Sequence, residues 1–169
     1  MPCALCLVPY RAHAVQTYFS ANVGYATAVF NNNYWDNSAL GIYGTFGLMS
    51  ETGLRGGINL GIRTGLGGGD VSVNNYNALV DVAYDVPTGA QVRPFIGATG
   101  GVMLSTLSIK GLGTQNRTDI VYGPMAGISY MIAPNAAIDL TYRYLFISNA
   151  DTGFSTNYGN FSIGTRFMF

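Results

Sequence analysis

The sequence predicts an all-β fold, an eight-stranded antiparallel up-and-down transmembrane β-barrel. Three observations carry that expectation. Charged residues make up only 9% of the 169-residue chain and the mean hydropathy is positive at +0.24, yet no run reaches the roughly 18 uninterrupted apolar residues of a spanning helix. From Val15 to the end the chain reads as period-two segments separated by turn residues, with short and long connections in alternation. Within those segments charges and large apolar side chains take opposite parities, which in a strand means opposite faces.

The first fourteen residues stand apart. A short apolar stretch, Cys3 to Val8, precedes Ala12-His13-Ala14, an A-x-A pattern before Val15. Residues 1–14 are therefore expected to be a signal peptide, truncated at its start because no Lys or Arg precedes the apolar stretch. Cys3 and Cys6 form a C-x-x-C inside that leader, with no second cysteine pair or histidine cluster to make a metal or redox site. Residues 15–169 are expected to form one barrel domain. They contain no cysteine and no histidine, since His13 is the single histidine of the chain.

The expected strands are 15–30, 39–51, 53–64, 76–86, 92–108, 118–132, 136–148 and 157–169. Strand two presents Leu40, Ile42, Phe46 and Leu48 on one face and Glu51 at the other parity. Strand three sets Leu54, Ile58, Leu60 and Ile62 against Arg55 and Arg63. In strand four the Tyr76-to-Val86 series opposes Asp81 and Asp85. Strand five sets Ile96, Val102 and Leu104 against Arg93, and strand six sets Ile120, Tyr122 and Ile128 against Asp119. Strand seven opposes Ile138, Leu140, Tyr142 and Phe146 to Asp139 and Arg143. In the last strand Phe161, Ile163, Phe167 and Phe169 oppose Arg166. All ten strand charges thus share the less apolar face.

Alternation alone also fits a soluble half-buried sheet, so the choice rests on which face is inside. A soluble eight-stranded barrel turns apolar residues inward and shows many charges outside; here that outer face would have almost none. A membrane barrel inverts the arrangement, because Arg or Lys facing lipid costs about 2–4 kcal/mol at the bilayer midplane. The ten charges are therefore expected to form a lumen network, with Asp139 paired to Arg166 and Asp85 to Arg55, since unpaired buried charges are costly. Tyr25, Tyr76, Tyr84, Tyr130 and Tyr144 lie on the apolar face near strand ends, where an aromatic girdle is expected. Tight turns near 51–53, 86–91 and 133–135 alternate with polar connections at 31–38, 65–75, 109–117 and 149–156, the layout of an outer-membrane barrel. Net charge is zero, which gives no footprint for nucleic acid.

Three stretches, RPFIGATGGV (93–102), IDLTYRYLFI (138–147) and the closing NFSIGTRFMF (160–169), resemble the OmpA/OmpX-like outer-membrane β-barrel family, which includes many small surface antigens of Gram-negative bacteria. The resemblance implies both termini in the periplasm and the longer loops outside the cell. It also implies that the last strand, with Phe161, Ile163, Phe167 and Phe169, is read by the outer-membrane assembly machinery. A monomer in outer-membrane lipid is expected.

Catalysis is not expected. FISNADTG (146–153) resembles the active-site strand of lipid A deacylase barrels, but Phe146 stands where their histidine precedes Ser148 and Asn149, leaving no general base for the serine. GGGDVSV (67–73) resembles one unit of a calcium-binding β-helix repeat, which works through stacked copies; this copy is alone. No cofactor or metal is expected. The reading is a structural, envelope or surface-interaction barrel. The alternatives are a narrow pore or small-molecule transport barrel, and an adhesin or surface antigen that binds host molecules through the four loops.

Overall fold

The structure, a computed structural model, describes residues 15–29, 38–66, 71–111, 113–148 and 157–169. The expected leader and most of the loops at 31–38 and 149–156, Asn149 included, lie outside them. Eight strands follow in chain order: β1 (Val15–Val29), β2 (Ser38–Ser50), β3 (Leu54–Leu66), β4 (Val71–Asp85), β5 (Val92–Ile109), β6 (Gly113–Ala133), β7 (Ala136–Ser148) and β8 (Asn157–Met168). Each pairs antiparallel with its sequence neighbours, and β1 closes on β8 from Tyr18↔Met168 to Val29↔Asn157. Closure leaves no sheet edge in the wall, the condition for carrying backbone through hydrocarbon.

The two faces are chemically opposite. Outward positions of β2 and β3 are large and apolar, with Leu40 and Ile42 each 70% exposed and Ile58 59% exposed. Inward positions are buried and mixed: four arginines (55, 63, 143, 166), four aspartates (81, 85, 119, 139), several asparagines, and a smaller apolar set. A β-strand of period two can serve both environments only if each alternate residue keeps to its own side.

Two glycine features shape the wall. Gly53, at φ +93, closes the β2–β3 turn by donating its N–H to the Ser50 carbonyl at 2.9 Å, and its own carbonyl receives the Asp85 N–H at 2.9 Å. A Cβ there would run into the Asp85 carbonyl oxygen. Farther along the lumen the Tyr43 ring lies flat on the wall over Gly24, Gly41 and Gly61, on three adjacent strands; a side chain at any of them would collide with the ring.

Two expected connections are different in the structure. The stretches 65–75 and 109–117 are largely strand, because β4 begins at Val71 and β5 and β6 run to Ile109 and from Gly113. Ile109 pairs with Gly113 and Thr106 with Asn116, while β6 meets β7 only from Ile120↔Ser148. The upper parts of β4, β5 and β6 therefore form a ribbon standing above the wall. Above the bilayer a ribbon can be polar on both faces, so the apolar alternation that marks a strand in sequence fades while the ladder continues.

Candidate functional site

The lumen gathers the chain's chemistry, and its composition changes along the axis. Toward the tight turns sits a four-member cluster from opposite walls. Arg55 Nε on β3 is 3.1 Å from Asp85 Oδ1 on β4, and Arg166 Nε on β8 is 3.2 Å from Asp139 Oδ2 on β7. These are the two pairs expected from the sequence. Two further contacts cross the lumen: Arg55 Nη1 donates to Asp139 Oδ2 and Arg166 Nη1 to Asp85 Oδ2, each at 3.1 Å. Each arginine thus serves both carboxylates, and Arg166 Nη2 also donates to Ser129 Oγ at 3.0 Å. The Arg55 guanidinium lies 4.2 Å from the Phe95 ring centroid, a cation–π contact that covers the cluster's flank.

Below this cluster Tyr18, Met49 and Met168 pack as a small apolar plug. Above it Arg143 Nη2 donates to Asp81 Oδ2 at 2.7 Å, and the Thr99 hydroxyl donates to Asp81 Oδ1 at 2.6 Å. Between the two charged groups is a cavity of ≈ 20 Å³ bounded by Arg55, Asp81, Asp139 and Arg143 among others, room for about one water. Asn59 Nδ2 donates to Thr45 Oγ1 at 2.7 Å, and Asn160 Nδ2 donates to the Tyr43 hydroxyl. Nearer the longer connections an apolar layer crosses the interior, built from Leu79, Met103, Val121, Leu145 and Tyr158 with Ala39. At the rim Arg117 Nε donates to Asp119 Oδ1 at 2.8 Å.

Several expected site residues are placed differently. Glu51 is not in the lumen: β2 ends at Ser50, so Glu51 sits on the exposed β2–β3 turn, where strand parity no longer applies. Arg93, near the start of β5, is half-buried and has no ion pair among the described residues. Arg63 is buried at 1% exposure without an ion pair among the described residues. Its guanidinium carbon lies 5.5 Å from the Tyr158 ring centroid. Arg117, expected in a loop, belongs to β6 and partners Asp119.

On the outer face Tyr25, Tyr76, Tyr84 and Tyr130 are 42–48% exposed, and the Tyr130 hydroxyl donates to Gln91 Oε1 at 3.1 Å near the tight-turn end. Tyr144 is half-buried because Phe146 stacks edge-on against it, centroids 5.0 Å apart, and Tyr122 lies 5.7 Å from the same ring. Phe161, Ile163, Phe167 and Phe169 all face outward, Phe169 at 77% exposure.

Sequence reasoning missed the apolar layer and the polar partners Thr99, Ser129, Tyr43 and Asn59. The glycines at 24, 41 and 61, one on each of three neighbouring strands, were the available signal for a large ring lying inside. Nothing in hydrophobicity alone distinguishes Leu79 or Leu145 from the lipid-facing leucines. No group of three or more candidate metal ligands occurs among the described residues. Ser148 ends β7, with Phe146 on the lipid side of the wall.

An apolar outer wall around a filled, charge-paired interior defines an integral membrane β-barrel of the outer-membrane type. Residues 25–169 match the Opacity family of porin proteins, and the chain belongs to that family. It is accordingly an integral protein of the bacterial outer membrane. Among solved structures it resembles Neisserial surface protein A, with TM-score 0.79 and 22% identity over 93% of this chain and 100% of that one. It also resembles Ail, the attachment invasion locus protein of Yersinia pestis, with TM-score 0.60 and 15% identity over 91% of this chain and 98% of that one. The N-terminal β-barrel domain of Pseudomonas aeruginosa OprF matches with TM-score 0.50 and 13% identity, over 88% and 97% of the two chains. No curated protein matches the chain by sequence.

Proposed function

We propose that this barrel is a sealed, non-catalytic envelope protein that presents a surface to the outside of the cell. The observation that carries the reading is the filled lumen. A permeating ion would have to cross the cross-wall Arg55–Asp85–Arg166–Asp139 cluster and then the Leu79, Met103, Val121, Leu145 and Tyr158 layer. The first is held by interactions that cost several kcal/mol to break, and the second offers no hydration. The narrow-pore alternative is therefore disfavoured. Planar-bilayer recordings of the refolded protein are expected to show no discrete conductance steps at any voltage; reproducible steps would contradict the seal.

The surface-interaction reading is supported by the β5–β6 ribbon, which carries Thr106, Ser108, Thr114, Asn116 and Arg117 above the wall. Thr106 Oγ1 donates to Asn116 Oδ1 at 3.0 Å, so cross-strand polar pairs hold it without a core. Ail has been solved in complex with the heparin analogue sucrose octasulfate; for the present barrel a host or surface ligand reached through the extracellular connections remains the adhesin form of this proposal. The outer tyrosines serve as the interfacial girdle, and the outward Phe161, Ile163, Phe167 and Phe169 as the signal read by the assembly machinery. Residues 1–14 act as the leader, the barrel is monomeric, and no cofactor takes part.

A further inference from the structure

Among the described residues each of the four buried lumen aspartates has an arginine partner, whereas one of the four buried arginines has no carboxylate. Arg55 and Arg166 neutralise Asp85 and Asp139, Arg143 neutralises Asp81, and Arg117 neutralises Asp119. Arg63 has no carboxylate partner among the described residues, although at 1% exposure it is more buried than Arg55 or Arg143. Its Nε and Nη1 find no acceptor. What touches it is a ring and a wall: Tyr158 at 5.5 Å, and Gly41, against which the arginine stem lies. A cation–π contact is weak beside the cost of leaving a buried ion uncompensated. The contact alone does not balance the burial.

The residue paired with Arg63 across the β3–β4 ladder is Asn75. It too is 1% exposed, and neither atom of its amide has a hydrogen-bond partner. Two unfilled donor groups, one of them cationic, are thus fixed side by side by the ladder. Water would complete hydrogen bonds there but supply no charge. An aspartate at 75 would have supplied it; the chain instead carries the neutral isostere, which donates.

We propose that Arg63 and Asn75 form a binding site for a small monovalent inorganic anion of the halide class, in the extracellular half of the lumen. The anion supplies the missing negative charge and accepts from the Arg63 guanidinium and from Asn75 Nδ2. The other buried amide oxygens without a hydrogen-bond partner, on Asn59, Asn77 and Asn160, are neutral and suited to water.

The test uses the full chain folded in detergent micelles, with urea unfolding in sodium chloride or bromide against sodium gluconate at constant ionic strength. The unfolding midpoint is expected to rise with halide concentration and to stay flat in gluconate. Asn75→Asp is expected to remove that dependence while keeping the high midpoint, because the carboxylate takes the anion's place. Arg63→Gln is expected to remove it as well. Crystals grown in bromide should show an anomalous peak beside Arg63 in the wild type and none in Asn75→Asp, a readout that survives if Arg63→Gln fails to fold. Wild-type indifference to halide overturns the proposal, and is the outcome if Asp36, Asp70 or Asp151 provides the charge. A halide effect that persists in Asn75→Asp, or a bromide peak only elsewhere, overturns it too.

Discussion

Arg166 shows how much one residue of this barrel can hold. Fully buried on the closing strand, it reaches Asp85 on β4, Asp139 on β7 and Ser129 on β6. Its removal would leave two buried carboxylates with Arg55 as their sole cationic partner. Breaking a buried pair from one side costs about 3–5 kcal/mol, because the remaining charge has lost its compensation. Arg166→Met is therefore expected to lower stability by about that amount in urea unfolding from lipid vesicles. Glu51→Gln gives the contrast. Its carboxylate is exposed on a turn, and the change is expected to stay within about 0.5 kcal/mol in the same assay. Equal losses in the two variants would mean that Glu51 belongs to the lumen network after all.

At the level of the strand, the wall and the ribbon obey different rules. Inside the bilayer each strand must separate apolar from polar residues by parity, so the charge faces of β3, β4, β7 and β8 were readable from the sequence. Above the bilayer that constraint lapses, and the polar stretches 65–75 and 109–117 read as loops although most of their residues continue the ladder. Excising Thr106–Asn116 in favour of a two-residue turn is therefore expected to leave folding intact. Heat-modifiable gel migration of the shortened protein should match the parent, and its loss would show that the ribbon helps hold the wall. On β8 a second separation is expected. Phe169 lies at the strand's end at 77% exposure, so deleting it should leave refolding in micelles nearly unchanged while reducing the outer-membrane fraction in cells several-fold. Equal impairment in both assays would make Phe169 a packing residue and remove the assembly role.

Over the whole molecule the sequence conveyed the barrel, its inside-out polarity and the ion pairs Arg55–Asp85 and Asp139–Arg166. It did not convey how the lumen is filled. Leu79, Val121, Leu145 and Met103 have the composition of the lipid face and the parity of the lumen, so any face assignment by hydrophobicity passes over them. Arg63 was readable as an inward charge, but its lack of a carboxylate partner among the described residues depends on which residues of β4 and β8 arrive opposite it. The same register decides whether the interior is a channel or a seal.

The most direct measurement is therefore of methyl environments in the folded barrel, made on methyl-labelled protein in lipid nanodiscs. Intermolecular NOEs to lipid acyl protons are expected for Leu40, Leu60, Leu140 and Ile163, which face outward or pack beside the outer wall. Leu79, Val121, Leu145 and Met103 should show neither lipid nor water NOEs, only contacts with one another across the lumen. Lipid NOEs at Leu145 or Leu79 would invert the assigned faces, and water NOEs at that layer would open the seal.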